Sequence, residues 1–305
     1  MSGIVQGISL GNQGPKISRL VYGVWRLNDD GHRQVDDVRR IVETCLELGI
    51  STFDHADIYG NYSCEETFGT LLKTDPSVRP KIQIITKCGC MPVSPKRPEH
   101  RIKHYESSSK HIEASVDRSL QLLNTDYLDV LLIHRPDPLM DPDDTAMGLQ
   151  NVVKAGKVLH VGVSNFAPWQ FELLQSRSVL PLVTNQIEAH VMTPAPFLDG
   201  TIGLCQKYGI PPMAWSPLAG GNLFSSQSEI AIQVREALKD IGQDFPLATM
   251  GQLALAWLLA HPSRIVPVIG SGDIQRIREQ AESVLIKLQR QHWFRIWTAA
   301  SGPVP

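Results

Sequence analysis

Short apolar runs alternate with amphipathic stretches along most of this 305-residue chain. Eight of the runs are predicted to be buried strands, and they start near Leu20, Ile50, Ile82, Tyr127, Val158, Leu182, Pro212 and Ile265. Each run is followed by residues whose apolar side chains recur at three- and four-residue intervals, which predicts a helix. Strict alternation of strands and helices predicts a parallel sheet, and eight such pairs predict an α/β fold closed into a (β/α)8 TIM barrel.

Two segments depart from this alternation. The first, Gly7–Leu20, has two alternating arms around a Gly-Asn-Gln-Gly turn and predicts a β-hairpin, which we expect to cap the bottom of the barrel. The second, residues 88–105, is rich in Pro, Lys, Arg and His and is predicted to be an irregular loop over the barrel mouth. Its basic side chains are either a solvated face or a guide for anionic substrates.

The alternative fold is an open, doubly wound parallel sheet. It is disfavoured because no G-x-G-x-x-G turn follows the first predicted strand. Neither a linker nor a repeat nor a low-complexity segment marks a boundary, so residues 1–305 are predicted to form one domain.

Composition and charge narrow the class of protein. Hydrophobic residues make up 42% of the chain, charged residues 20%, and the net charge is −2, which argues against nucleic acid or an anionic membrane as the main partner. The apolar run Leu253–Ala260 is too short to span a bilayer, and the amino terminus lacks a secretory pattern. Five irregularly spaced cysteines favour free thiols in the cytoplasm, although a metal or redox pair at Cys88 and Cys90 stays open.

Polar and aromatic residues stand where the predicted strands end. They are Trp25, Asp54, Lys87, His134, Ser164, Asn165, Gln186, Trp215, Ser216, Gly270 and Ser271. In a barrel of parallel strands, the active site lies at the carboxyl ends of the strands. Taken singly, Asp54 could cap a helix, Lys87 could reach the surface along its apolar stem, and His134 could bond to the backbone. Because the three stand on consecutive strand ends, with Tyr59 in the adjacent loop, a shared site is favoured.

These four side chains suit proton transfer to a carbonyl oxygen. A free tyrosine has a pKa of about 10, which makes it a weak acid near neutral pH. An ammonium at Lys87 is predicted to lower the pKa of Tyr59, and a carboxylate at Asp54 to keep the buried lysine charged. His134 can hydrogen-bond the carbonyl oxygen and orient it, but it lacks partners for a metal site. Reduction of the carbonyl also needs a hydride, which none of these four side chains can donate.

At these residues the chain resembles the aldo-keto reductase family, over essentially its whole length. The similar segments are Gly23–Trp25, Phe53–Gly60, Ile85–Lys87, Leu131–His134, Gly162–Phe166, Asn185–Glu188, Trp215–Leu218 and Pro267–Gln280. Residues 134–139 and the tail segment 291–297 are similar to the bacterial oxidoreductases of the YdhF type. The resemblance implies a barrel that binds a nicotinamide cofactor without a Rossmann motif. It also implies a catalytic tetrad of Asp54, Tyr59, Lys87 and His134, with Tyr59 as the general acid.

The resemblance further implies where the nicotinamide binds. Ser164, Asn165 and Gln186 are expected to hold its carboxamide, since two amides and a hydroxyl can satisfy both a donor and an acceptor. Trp215 is expected to stack on the nicotinamide ring. Trp25 is expected to form part of the substrate pocket wall.

The phosphates and the adenosine are expected along the last strands. The residues implied there are Ser216, Leu218, Gly220, Gly221, Gly270, Ser271, Gly272, Arg276 and Gln280. The helix that follows Gly270 can bind phosphate at its amino terminus. Many members of the family carry Lys or Arg where Gly270 or Gly272 stands. Because Ser271 and Arg276 are present, NADP is predicted in preference to NAD.

The sequence therefore predicts an enzyme that reduces an aldehyde or ketone to an alcohol with NADPH. We expect it to act as a monomer on a small molecule. One alternative is a nucleotide-sensing subunit on the same barrel, since channel-associated relatives bind NADP and act mainly as partners. The other is a hydrolase in which His134 and Asp54 hold a metal ion. The sequence names neither the carbonyl substrate nor the physiological direction.

Overall fold

The computed structural model describes residues 3–29 and 34–303, and the ends of the predicted domain, 1–2 and 304–305, lie outside them. The described strands are β1 (Gly7–Ser9), β2 (Lys16–Ser18), β3 (Val21–Gly23), β4 (Thr52–Asp54), β5 (Gln83–Cys88), β6 (Cys90–Met91), β7 (His104–Tyr105), β8 (Leu128–Ile133), β9 (Val158–Ser164), β10 (Leu182–Glu188), β11 (Met213–Trp215) and β12 (Val266–Ile269). Strands β3, β4, β5 and β8 to β12 pair in chain order, all parallel, and β12 pairs with β3 to close a barrel. The predicted α/β barrel is confirmed.

The amino-terminal hairpin closes one end of the barrel, as the sequence predicts. Strands β1 and β2 pair antiparallel. Leu10 and Ile17 of this hairpin are buried and share one apolar cluster with the barrel residues Val21, Val130 and Val266. Because this cluster fills the barrel toward the amino ends of its strands, the polar strand ends lie at the opposite, open end.

The helices surround the barrel. They are α1 (Val35–Leu48), α2 (Tyr59–Tyr62), α3 (Cys64–Thr74), α4 (Ser109–Leu123), α5 (Pro142–Lys154), α6 (Pro168–Arg177), α7 (Ala195–Leu198), α8 (Thr201–Lys207), α9 (Asn222–Ser225), α10 (Glu229–Ile241), α11 (Met250–Leu259), α12 (Ile274–Ala281) and α13 (Arg290–Ser301). Ser108 begins α4 by accepting a hydrogen bond from the His111 N–H. The spacing of apolar residues over Ala195–Tyr208 predicts a single helix. The structure divides this segment into α7 and α8, because Gly200 between them has a φ of 89°.

Helix α13 packs its aromatic side chains against α11. The rings of Trp257 on α11 and Trp293 on α13 stack with their centroids 4.8 Å apart, and Trp297 stacks on Trp293 at 5.5 Å. The indole N–H of Trp257 donates to the Trp293 carbonyl oxygen at 3.0 Å, and the Trp293 N–H donates back at 3.2 Å. The tail is therefore a helix packed against the barrel's outer layer.

Residues 88–105, predicted as an irregular loop, contain a short antiparallel pair. Strands β6 and β7 pair through Cys90 and Tyr105, and Gly89, with a φ of 96°, makes the turn before β6. Cys88 and Cys90 are free thiols, and burial raises the pKa of both. Within residues 3–29 and 34–303, no three His, Cys, Asp or Glu side chains group to hold a metal ion, and no helix is long and apolar enough to cross a membrane.

Candidate active site

Lys87 lies at the centre of the cluster that the sequence predicts. It stands near the carboxyl end of β5, and its side chain is buried. Its Nζ donates to Asp54 Oδ2 at 2.7 Å, to the His55 carbonyl oxygen at 2.8 Å and to Tyr59 Oη at 3.0 Å. All three N–H groups of the ammonium are therefore satisfied, which compensates for the loss of water around a buried charge.

The backbone brings the acid and the phenol to this lysine. Asp54 ends β4, whose parallel register with β5 turns Asp54 and Lys87 to the same side of the barrel wall. Tyr59 begins α2, a short turn in which Gly60 has a φ of 58°. A Cβ at Gly60 would lie 2.6 Å from the Sγ of Cys64, so glycine is required directly after Tyr59.

Burial and pairing act on the Lys87 pKa in opposite directions. Burial is the largest effect and lowers it, but the Asp54 carboxylate and the Tyr59 phenol together raise the pKa above its ordinary value. Lys87 therefore stays protonated at neutral pH, in agreement with the role predicted for Asp54.

The Tyr59 pKa differs from the expectation. Burial raises the pKa of this phenol above its ordinary value, and the opposing effect of Lys87 is too small to reverse that. The Asp54 carboxylate adds to the rise. The predicted net lowering is therefore wrong for this structure, because it counted the ammonium and not the burial. The phenol is fully protonated at neutral pH, which is the state that a proton donor needs.

His134 follows β8 and faces the phenol. Its ring lies edge-on to that of Tyr59, with the centroids 6.1 Å apart and the planes at 81°. Its backbone N–H donates to the Cys88 carbonyl oxygen at 2.8 Å, which fixes the start of the loop after β8. Burial, followed by the charges of Lys87 and Arg135, holds the pKa of His134 well below its usual range. The imidazole is therefore neutral and offers one N–H donor and one acceptor.

The next wall of the site is a hydrogen-bonded set of amides and a hydroxyl. Asn165 Nδ2 donates to Ser164 Oγ at 2.8 Å and to the His134 carbonyl oxygen at 3.2 Å. Ser164 Oγ donates to the Gln186 carbonyl oxygen at 2.9 Å, and Trp215 Nε1 donates to Asn165 Oδ1 at 2.9 Å. The three strand ends that carry Ser164, Gln186 and Trp215 are therefore locked to one another.

Gln186 has a second contact that the sequence did not indicate. Its Nε2 donates to Asp54 Oδ1 at 2.8 Å, while the other oxygen of Asp54 accepts from Lys87. The residue expected to bind the nicotinamide thus also holds the carboxylate of the tetrad in place.

These residues surround one cavity of about 760 Å³ at the open end of the barrel. The predicted site residues on its wall are Trp25, Asp54, Tyr59, His134, Ser164, Asn165, Gln186, Trp215, Ser216, Leu218, Gly220, Gly221, Gly270, Ser271, Arg276 and Gln280. Lys87 lies behind Asp54 and Tyr59 and does not reach the wall. Gly272 is also absent from the part of the wall formed by the described residues, unlike its neighbours Gly270 and Ser271.

Sequence reasoning missed part of the cavity wall. The wall residues that the sequence analysis did not assign to the site are Gly23, Arg26, Ile58, Arg135, Pro217, Phe224, Gly251, Val268, Ile269 and Glu279. Arg26 and Arg135 directly follow two strand-end residues that were named, so reading one residue further would have found them. Glu279 stands three residues after Arg276 on α12, which puts both on one face of the helix.

Two backbone N–H groups at the amino terminus of α12 are already capped. Asp273 Oδ1 accepts from the backbone N–H of Gln275 at 2.8 Å and from that of Arg276 at 3.1 Å. The phosphate site expected at this helix end stays a prediction, and these two N–H groups are occupied by the chain's own carboxylate. The Arg276 side chain forms no ion pair with any residue in the described part of the chain, so its guanidinium is available.

The wall suits a nicotinamide dinucleotide. Gly220 and Gly221 have φ values of 63° and 102°, and a Cβ on either would meet no atom within 4 Å, so the backbone faces open space there. Trp215 supplies an aromatic surface at one end of the cavity, and Ser271 and Arg276 supply a hydroxyl and a cation elsewhere on it. Together they match a flat ring, a pyrophosphate and a ribose phosphate.

Known proteins match this chain along nearly its whole length. A model of the aldo/keto reductase family matches residues 19–300. Oxidoreductase YdhF of Escherichia coli (strain K12) is 44% identical over 299 residues, 98% of this chain and 99% of that protein. The 6-dehydroglucose reductase of Agrobacterium fabrum is 44% identical over 287 residues, 94% of this chain and 95% of that protein. The crystal structure of the thermostable aldo-keto reductase Tm1743 with the inhibitor epalrestat has a TM-score of 0.80 at 28% identity, covering 96% of this chain and 99% of that chain.

Proposed function

The chain belongs to the aldo/keto reductase family, and we propose that it is an NADP(H)-dependent enzyme that reduces aldehydes or ketones to alcohols. One observation carries the proposal. Lys87 Nζ lies 3.0 Å from the Tyr59 oxygen and 2.7 Å from Asp54, directly behind a cavity wall that the phenol and carboxylate form. This arrangement provides a protonated phenol whose anion, once formed, is stabilised by a permanent ammonium.

The chain's own residues account for the proton in the reaction. The hydride for the carbonyl carbon would come from a reduced nicotinamide, when one is bound in the cavity. Tyr59 donates its proton to the carbonyl oxygen, and Lys87 stabilises the phenolate through the existing 3.0 Å hydrogen bond. Neutral His134 donates an N–H to the same oxygen and orients it. Solvent returns a proton to Tyr59 after the alcohol leaves, so charge and atoms balance.

Asp54 and Gln186 act as positioning residues for this step. Asp54 keeps Lys87 charged despite its burial, and Gln186 fixes the second oxygen of the carboxylate. Ser164 and Asn165, with Gln186, would hold the carboxamide of the nicotinamide, and Trp215 would cover its ring.

Replacement of Tyr59 by Phe tests the role of the phenol. We expect Tyr59→Phe to lower kcat by about 10²- to 10⁴-fold, because the general acid is lost, and to leave the dissociation constant of NADPH unchanged. The measurement is NADPH oxidation, followed by absorbance, with a panel of aldehydes and ketones. Tyr62→Phe is the matched control, since Tyr62 belongs to the same turn but does not line the cavity. Undiminished turnover in Tyr59→Phe would remove Tyr59 from this role.

The preference for NADP over NAD rests on Arg276. A charge-assisted hydrogen bond to the 2′-phosphate contributes about 1.5 to 3 kcal/mol. We therefore expect Arg276→Gln to weaken NADPH binding by about 10- to 100-fold and to leave NADH binding unchanged. Titration calorimetry with both cofactors measures this. Equal weakening for both would assign Arg276 to the shared part of the cofactor.

The intact tetrad favours an enzyme over the nucleotide-sensing alternative, which needs no proton donor. A protein that binds NADPH tightly and turns over no carbonyl compound would favour that alternative. The panel includes 6-dehydroglucose, the compound in the name of one relative. We also propose that the protein is cytoplasmic, which its five free cysteines support, and that it is a monomer. Light scattering of the purified protein tests the monomer.

A further inference from the structure

Three of the described arginines line the cavity, and they differ in what they bind. Arg26 Nη2 donates to the Gly220 carbonyl oxygen at 3.0 Å, and its Nε lies 3.9 Å from Asp29. Arg276 belongs to α12 and is assigned above to the cofactor. Arg135, directly after His134, forms neither an ion pair nor a hydrogen bond with any residue of 3–29 or 34–303. It is half-buried all the same.

Arg135 stands beside the reacting groups. Its guanidinium carbon lies 5.7 Å from the ring centroid of Trp215, the residue proposed to cover the nicotinamide. After burial and Lys87, its charge is the next cause of the low pKa of His134, so the two side chains are electrostatically close. Lys103, before β7, adds a further positive charge to the same imidazole. Asp54, a carboxylate on the cavity wall, is already paired with Lys87 and Gln186.

The Arg135 guanidinium contacts the ring of Trp215, but within the described residues none of its N–H groups has a hydrogen-bond acceptor, so its hydrogen-bonding capacity is unused. Its rigid, planar set of five N–H donors matches the two oxygens of a carboxylate or a phosphate. We propose that Arg135 is a specificity-determining residue that binds an oxyanion on the substrate. The inference rests on the proposed reductase function, and it narrows the substrates to aldehydes and ketones that carry a carboxylate or a phosphate.

Pairs of substrates that differ in charge test this inference. 4-Carboxybenzaldehyde is compared with its methyl ester, and glyceraldehyde 3-phosphate with glyceraldehyde, so that the two arms separate carboxylate from phosphate. We expect kcat/KM to favour the charged member of at least one pair by about 10- to 100-fold, mainly through KM. Arg135→Gln is expected to bring the ratio of kcat/KM for the charged and neutral members close to one. Arg135→Lys is expected to keep part of the preference, since lysine retains the charge but not the planar set of N–H donors. Arg177→Gln, an exposed arginine of α6, is the matched control.

A second measurement separates failure of this inference from failure of the reductase function. Calorimetry compares the binding of 4-methylbenzoate and 4-methylbenzamide to the protein. If no carbonyl compound is reduced but the benzoate binds at least tenfold more tightly in wild type than in Arg135→Gln, the anion site stands and the reductase proposal fails.

Three results would overturn the inference. The first is no preference for the charged partner in either substrate pair or in calorimetry. The second is a kcat/KM for neutral 6-dehydroglucose above that of every anionic aldehyde. The third is an equal fall in kcat for charged and neutral substrates in Arg135→Gln with a shifted pH profile, because that would assign Arg135 to the acidity of Tyr59.

Discussion

Two groups of buried titratable side chains lie on and around β4 and β5, and they differ in whether they form an ion pair. Asp54, on the cavity wall, and Lys87, directly behind it, form an ion pair with a 2.7 Å N···O distance. His55, Asp57 and Glu65 are as deeply buried but form no ion pair within the described residues. We call these three the neutral group.

Burial shifts every pKa in the neutral group toward the uncharged form. Burial, aided by the neighbouring Glu65, holds the pKa of Asp57 well above its usual range, and burial raises that of Glu65 itself. Burial, and then the charge of Lys87, lowers the pKa of His55 to about 3. Glu65 accepts hydrogen bonds from two hydroxyls, those of Thr86 at 2.6 Å and Ser119 at 3.1 Å, and neither carries a charge.

The difference teaches that burial alone does not decide whether a side chain is charged. Asp54 and Glu65 are each about 2% exposed. Asp54 has an ammonium within hydrogen-bond distance, and Glu65 has hydroxyls only, so only the first avoids the cost of a buried isolated charge. The Asp54 carboxylate is thus paired with an ammonium, whereas burial shifts the pKa of Glu65 toward the uncharged form.

The strongest test of this comparison pairs two isosteric substitutions. Asp54→Asn removes the counter-charge of buried Lys87, so we expect a loss of about 3 to 5 kcal/mol in unfolding free energy together with most of the activity. Glu65→Gln replaces a carboxyl whose pKa burial raises toward the uncharged form, and an amide can still bond to both hydroxyls. We therefore expect it to change the unfolding free energy by less than about 1 kcal/mol. Urea denaturation at pH 7 measures both. Equal losses would show that Glu65 is charged and paired.

A change of pH sharpens the comparison by a smaller amount. The His55 pKa is about 3 in the folded protein and about 6.5 in the unfolded chain. The stability that depends on neutral His55 is therefore complete above pH 6.5 and is lost as the pH falls toward 3. Between pH 7 and pH 5, we expect wild type to lose about 2 kcal/mol more unfolding free energy than His55→Leu. Urea denaturation at both pH values measures the difference, and parallel losses in the two proteins would contradict a neutral His55.

The smallest expected effect concerns the cysteines. Burial holds the pKa of the Cys88 thiol well above its usual range, and burial raises the pKa of Cys64 to about 11 and that of Cys205 to about 12. We expect a thiol reagent at pH 8 to leave the folded protein almost unlabelled and to label all five cysteines after denaturation. Rapid labelling of Cys88, identified by mass spectrometry, would show a thiolate in the layer behind the site.

The barrel could be predicted from the sequence because its signal is local and repeated. Each observed barrel strand begins within two residues of the predicted start, as Val158 and Leu182 show. The strand-end residues Asp54, Lys87 and His134 followed from the same periodicity. Their meeting in space needed only the rule that parallel strands share one carboxyl edge.

The missed features depend on distances between segments far apart in the chain. The rise in the Tyr59 pKa requires the extent of burial around the ring, which no motif contains. The bond from Gln186 to Asp54 crosses the barrel, and the capping of α12 by Asp273 depends on which rotamer the carboxylate adopts. The free guanidinium of Arg135 could be recognised only once every acidic neighbour had been located.

The pairing of β12 with β3, which closes the barrel, has a consequence for the order in which the sheet can form during synthesis. A ribosome releases the amino-terminal hairpin, β3 and β4 long before β12. Strand β3 pairs with β4 on one side, but on its other side Val21 and Tyr22 pair with Val268 and Ile269 of β12. Until β12 emerges, this side of β3 remains an open edge onto which another nascent chain could add a strand. The exposed edge of β3 is therefore covered only after β12 has been synthesised and has paired with it.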